Sequence, residues 1–189
     1  MSDPVGPVTA AASTGLARVE ALPPRGMLLL RGELAELGPR MAEAAGLSLP
    51  DQGRGSFDGD TALLWMSPDE ALLLCPRADA AGRREALREA LSGTHHLVED
   101  ISDARAMFRL SRGPVREVLA RLTPADLRPT ALTPGQVRRT RLAQVPAAFW
   151  LHDDETAEVI CFRSVAQYVM DLLSNAAGPS EALGLFQPR

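Results

Sequence analysis

The chain has 189 residues, a net charge of −4 and a sequence pI of about 5.4. This length can build one core or two small halves, and the acidic balance argues against nucleic acid as a ligand, because phosphate binding needs a concentrated basic face. All 20 basic residues are arginine, so Schiff-base lysine chemistry and a P-loop are excluded.

Residues 1–26 read as an N-terminal tail and a first edge segment. The first fifteen are small and polar, with Pro4 and Pro7, and lack the basic start and apolar run of a signal peptide. No apolar stretch approaches the ~20 residues of a membrane span. Cys75 and Cys161 each fall inside a predicted strand, which does not suit a disulfide scaffold. A cytoplasmic chain with no membrane partner is expected.

Met27–Leu30 predicts a short buried strand closed by Arg31-Gly32, and a helix follows. Proline fits a first turn, so Pro39 places the regular helix start near Gly38, with Met41, Ala44 and Ala45 facing inward and Gly46 as the stop. The Gly-rich, polar stretch 47–59 reads as a loop. A strand over Thr61–Met66 then turns at Ser67-Pro68-Asp69-Glu70, where proline at the second turn position returns Ala71–Cys75 as a hairpin. Arg84–Leu91 predicts a helix with Leu87 and Leu91 on one face, and His95–Asp100 a closing strand.

Ala104, Ala106, Phe108 and Leu110 alternate with arginines and Met107, the pattern of a strand with one buried face. Gly113-Pro114 opens a helix whose Val115, Val118, Leu119 and Leu122 point inward while Arg116, Glu117 and Arg121 look outward. A Pro-rich connection over 123–135 leads to strands near Val137–Leu142 and Ala147–His152, an Asp153-Asp154-Glu155 turn and a strand at Glu158–Phe162. The last helix has Ser164 as N-cap, with Gln167 three residues on, and an apolar stripe of Val165, Tyr168, Val169 and Leu172, ending at Ala177-Gly178-Pro179.

The chain repeats itself. Leu64-Trp65 followed by Asp69-Glu70 and Cys75 is echoed by Phe149-Trp150 followed by Asp154-Glu155 and Cys161. The fold class is therefore α+β: two similar strand-helix-hairpin-helix halves, 27–103 and 104–177, forming antiparallel sheets with helices packed on them, as one compact unit, with 178–189 as a C-terminal tail. The spacing is imperfect, since Trp65 to Trp150 is 85 positions and Gly38 to Gly113 is 75.

No catalytic constellation emerges. His95 and His96 are adjacent on a predicted strand, which sends their rings to opposite faces, and His152 stands alone, so no metal ligands are assigned. No G-x-S-x-G segment is present, and Cys75 and Cys161 sit among apolar neighbours as small buried hydrophobes. The carboxylates of Glu99-Asp100 and Asp153-Asp154-Glu155 lie where turns and strand ends need them. Strand alternation separates Arg138 from Arg139 and Arg141, which makes a solvent face or partner contact of them. Gly53-Arg54-Gly55 lacks the third glycine and the preceding strand of a dinucleotide fingerprint.

A set of motifs in fixed order does point somewhere. Leu64-Trp65 with Pro68-Asp69-Glu70, Asp100-Ile101-Ser102-Asp103-Ala104-Arg105, Leu110-Ser111 before Gly113, Pro134-Gly135, and Arg163-Ser164-Val165-Ala166-Gln167-Tyr168 together resemble the gamma subunit of heterotetrameric sarcosine oxidase, over about Met27 to Ala176. The resemblance implies the fold of the aminomethyltransferase folate-binding domain. It also implies a non-catalytic small subunit, with no catalytic, cofactor-binding or metal residues of its own, in a complex that oxidatively demethylates sarcosine to glycine and passes the one-carbon unit to tetrahydrofolate. FAD, FMN, NAD and tetrahydrofolate are then expected on partner subunits, with the alpha subunit as the most direct partner and the beta and delta subunits in the same assembly. The alternative is a freestanding folate-binding or aminomethyltransferase-like protein using Asp126, which aligns with a functional carboxylate of that family. If the Trp65 hairpin and the two ends of the chain cover a partner, an apolar patch is expected there.

Overall fold

The computed structural model describes Val8, the backbone of Ala12–Ser13, and residues 15–179 and 181–186. In chain order, β1 (Ala12–Ser13) and β2 (Arg18–Ala21) come first. Then follow β3 (Gly26–Arg31), α1 (Leu34–Ala45), β4 (Gly55–Asp58), β5 (Thr61–Ser67), β6 (Glu70–Cys75), α2 (Ala80–Ala90) and β7 (Leu97–Asp100). The remainder is β8 (Arg105–Ser111), α3 (Val115–Ala120), β9 (Val137–Leu142), β10 (Val145–Leu151), β11 (Ala157–Phe162) and α4 (Ala166–Ala176). The class is α+β, as the sequence predicts, but the contacts separate Pro24–Asp103 from a second unit built by the segments flanking it, where one compact unit was expected. The physical reason is that each sheet closes a core with its own helices.

In the unit Pro24–Asp103 the strands run β4-β5-β6-β3-β7, every neighbouring pair antiparallel. Leu28, Leu30, Leu63 and Leu73 pack beneath Leu37, Met41 and Leu87 of the helices, all at 3% exposure or less. Each such side chain stabilises the fold by roughly 1.5–3 kcal/mol on burial. The β5–β6 hairpin turns at Pro68-Asp69 as predicted, with a bulge between Trp65 and Ser67.

Boundaries differ from the sequence reading for identifiable reasons. Helix α1 begins at Leu34 rather than Gly38, because the Leu34 N–H donates to the Pro68 carbonyl (3.2 Å) and Leu37 to that of Glu33 (2.8 Å). Pro39 thus lies inside the helix and removes the bond to the Ala35 carbonyl; Ala35 is exposed, so water can serve that oxygen. The predicted loop 47–59 contains β4, an edge strand with no buried face and therefore no period-2 signal. Helix α2 starts at Ala80, led in by a 3₁₀ turn over Arg77–Asp79, and β7 starts at Leu97, leaving His95 and His96 before the strand.

The other unit orders its sheet β1-β2-β8-β11-β10-β9, again antiparallel throughout. Setting β8 against β3, β11 against β6, β10 against β5 and β9 against β4 gives both units the same strand order. The fifth place differs in origin: β7 follows α2, whereas β2 precedes the whole first unit. Arg18–Ala21, part of the predicted edge segment, thus completes the second sheet by pairing with 108–111 of β8.

Phe108, Leu110, Phe149, Leu151 and Val159 form the core of this unit with Val118, Leu119, Val169 and Leu173. The final helix buries Ala166, Val169, Met170, Leu173 and Ala176, a stripe displaced by one residue from the predicted one, and Tyr168 is exposed. Ser164 is not its N-cap: it lies in a 3₁₀ turn, Arg163–Val165, and no side chain caps α4. Val169, Met170 and Leu173 join the core of this unit, and Val165 is only partly buried against it.

Candidate functional site

The Asp153-Asp154-Glu155 turn joins β10 to β11, held by the Glu155 N–H donating to Asp153 Oδ1 (2.8 Å). Arg116 reaches it from α3. Its Nη2 and Nε donate to Asp154 Oδ1 at 2.7 and 3.3 Å, and its Nη1 donates to the carbonyls of Leu132 (2.7 Å) and Leu127 (3.1 Å). The sequence reading turned Arg116 and Glu117 outward; both are buried, at 4% and 3% exposure. A six-residue helix presents too few turns for a clean stripe, and burial of these charges is permitted because each is hydrogen-bonded.

Glu117 spends its carboxylate on backbone. Oε2 accepts the N–H of Leu183 (2.8 Å) and Oε1 that of Leu185 (3.0 Å), which ties the segment 181–186 to α3. Between this strap and the acidic turn lies a cavity of about 490 Å³, lined by Pro114, Arg116, Pro129, Asp154, Glu155 and Phe186 among others.

A second polar cluster sits on the sheet of the same unit. Glu158, 3% exposed, accepts from Arg109 Nη2 (2.6 Å) and Nε (3.2 Å) at Oε1 and lies 3.0 Å from His152 Nε2 at Oε2. Burial pushes the Glu158 carboxyl up, but the hydrogen bonds and charges of His152 and Arg109 outweigh it and hold the group below the usual range. In the other unit Asp100 is also held low: desolvation raises it, and the Ser102 hydroxyl and N–H (2.9 Å), which both donate to Oδ1, bring it down. The Ser102 oxygen accepts the Met27 N–H in turn (2.9 Å), so this carboxylate fastens β3 to the end of β7.

The residues singled out in the sequence are scattered. Asp126 lies on a surface turn, its carboxylate gripped by Arg128, whose Nη2 and Nε stand 2.5 and 2.9 Å from Oδ2 and whose N–H donates to Oδ1 (3.0 Å). These bonds hold it at about 2. Burial drives the Cys161 thiol up to about 12 and raises Cys75 too, so both are protonated and unreactive. His96 Nδ1 pairs with the carbonyl of Thr94 (3.0 Å). Among the described residues no group of three or more His, Cys, Asp or Glu is placed to hold a metal ion, and no helix is long and apolar enough to cross a membrane. Arg139 and Arg141 are exposed on the edge strand β9, while Arg138 turns to the carbonyl of Ala131.

The paired tryptophans occupy equivalent strands with different surroundings. Trp65, half-buried on β5, walls a groove of about 280 Å³ with Glu33, Leu34, Leu49, Pro50 and Pro68. Trp150 on β10 is fully buried. The sequence missed Arg116, Glu117 and the Arg109–Glu158 pair; a lone glutamate at the head of the apolar run Val159-Ile160-Cys161 was the available signal, and it needed the register Glu158↔Arg109 to be read.

The Sarcosine oxidase, gamma subunit family matches residues 33–179. The gamma subunit of sarcosine oxidase from Arthrobacter sp is 31% identical over 149 residues, 75% of this chain and 72% of that one. That of Corynebacterium sp. (strain P-1) is 32% identical over 139 residues, 72% and 67% of the two chains. A chain of the heterotetrameric sarcosine oxidase from Corynebacterium sp. U-96, solved with pyrrole 2-carboxylate, superposes with a TM-score of 0.79 at 26% identity, over 90% of this chain and 91% of that one. The glycine cleavage system aminomethyltransferase T of Bartonella henselae shares the fold at a TM-score of 0.60 and 18% identity, over 85% of this chain and 46% of the enzyme. From its sequence and from its fold, the chain belongs to the sarcosine oxidase gamma subunit family.

Proposed function

We propose that this chain is the non-catalytic gamma subunit of a cytoplasmic, heterotetrameric sarcosine oxidase-type complex, in which it buttresses the alpha subunit and helps enclose the path of the one-carbon intermediate. The observation that carries the reading is the superposition on a chain of the Corynebacterium complex over nine-tenths of both chains. The chemistry supplies the rationale. Oxidation of an N-methyl amine yields an imine or formaldehyde equivalent, which water and stray amines consume unless walls exclude them until transfer to tetrahydrofolate. Substrate oxidation, with FAD, FMN and NAD, falls to the partner subunits, among them beta and delta.

The residues of this chain support a structural part. Its thiols are protonated and its buried charges are committed to backbone and to one another. The Asp126 carboxylate, on which a folate-binding alternative would rest, is engaged by Arg128 on a surface turn. The test is purification of the chain alone and with its large subunits. The lone chain should carry no flavin absorbance, bind no tetrahydrofolate by calorimetry and oxidise no sarcosine; flavin or folate binding by the lone chain would overturn the proposal.

A further inference from the structure

The most exposed large apolar side chains among the described residues are Leu183 (69%) and Leu185 (61%). They sit on a segment that is held in place. Both oxygens of a buried glutamate are spent on the backbone N–H groups of these two residues, Gly184 between them takes φ +66°, and Phe186 packs against the helix-side core of the same unit. Fixing two leucines in water by desolvating a carboxylate gains this unit no buried leucine area, whereas a partner gains a ridge whose ordering cost is already met.

We propose that the strap 181–186 is a docking ridge that presents Leu183 and Leu185 to an apolar groove with a basic rim on the partner subunit. The charge around the ridge states the partner's chemistry. Glu181 opens it and is exposed, and Asp154 and Glu155, also exposed, share the cavity wall with Ala182 and Phe186. The positive charge of Arg116 is turned inward onto two carbonyls and Asp154 Oδ1, which leaves Oδ2 for an arginine or lysine of the partner. The inference rests on the subunit reading given above, because the occupant it names is another subunit of that complex.

The experiment co-expresses the full chain with its alpha subunit and measures association by size exclusion and titration, for wild type and for Leu183→Asp/Leu185→Asp. Wild type should associate, and the double variant should bind at least about tenfold more weakly with an unchanged melting temperature, because neither leucine is in the core. Association of the variant at wild-type affinity would overturn the docking ridge while leaving the subunit reading intact; failure of wild type to associate would overturn the subunit reading and the ridge with it. Amide exchange on the free chain supplies the second arm. The Leu183 and Leu185 amides should be protected, and Glu117→Gln should speed their exchange; fast exchange in the wild type would show that the strap is not anchored and overturn the proposal.

Discussion

The two acidic hairpin turns of this chain are the same device wired in opposite directions. At the β5–β6 turn the acid is the buried partner: the Glu70 side chain is 11% exposed and pairs with Arg31 (3.0 Å), which is 46% exposed and also reaches Asp69 (3.4 Å). At the β10–β11 turn the arginine is buried, at 5%, and its partner Asp154 is 76% exposed. Each turn is closed by an arginine–carboxylate pair, but the arginine comes from a different element: Arg31 ends β3, and Arg116 lies in α3. In the second unit the inward arginine holds the connection 127–132 through backbone carbonyls and leaves acid on the surface.

The two units differ most at a glycine. Gly38 and Gly113 look equivalent in sequence, yet a Cβ on Gly113 would meet the backbone carbonyl oxygen of Leu16 at 2.0 Å, whereas one on Gly38 would meet the tip of the Leu49 side chain at 2.8 Å. Gly113→Ala should cost about 3 kcal/mol or more, enough to lose the fold of a marginal chain. Gly38→Ala should fall within about 1 kcal/mol of neutral, since the helix gains from alanine what Leu49 gives up by moving. Urea denaturation of both variants decides this, and equal costs would contradict the account.

Arginine comes next. Arg116→Ala orphans two buried carbonyls and should destabilise by ~2–4 kcal/mol, whereas Arg31→Ala withdraws a half-exposed cation from the largely buried Glu70 and should cost less, about 1–2 kcal/mol. The same denaturation measurement applies. The order of the two, more than either value, tests the reversed burial.

The legibility of the fold follows from the same particulars. Hairpin turns were readable because Pro68 and the Asp-Glu pairs act locally, and strands such as Ala71–Cys75 because apolar runs mark burial on both faces. The position of β2 was not, because pairing with β8 across some ninety residues leaves no local trace. Nor was burial of Arg116 and Glu117: a charge goes inside only when distant backbone groups satisfy it, here Leu127, Leu132, Leu183 and Leu185. The family motifs were legible as an ordered set, and the site residues were not, because their partners lie up to 68 positions away.

The folded-state carboxyl of Glu158 lies below its unfolded value, so its contribution is present above the unfolded pKa and is lost as pH falls through the folded one. Glu158→Gln should therefore flatten the loss of stability on acidification, as read by melting temperature across the acid range; an unchanged acid slope would show that the Arg109–Glu158–His152 cluster carries none of it.

The smallest effect lies in the hairpins that precede the tryptophan strands. Gly59 begins the two-residue turn of β4–β5 at φ +53°, and Ala143 begins that of β9–β10 at φ +50°. Alanine in the left-handed region costs about 1 kcal/mol, so Ala143→Gly should stabilise by up to roughly that amount and Gly59→Ala should destabilise by as much.

The role proposed for this chain is that of a protein partner to larger subunits. Native mass spectrometry of the chain co-expressed with its large subunits, coupled to sarcosine turnover with and without the chain, tests it most directly. One copy of this chain is expected in the assembled complex, with turnover that declines or becomes labile when it is omitted. A complex that assembles and turns over undiminished without it, or sarcosine oxidation by the chain alone, would rule that role out.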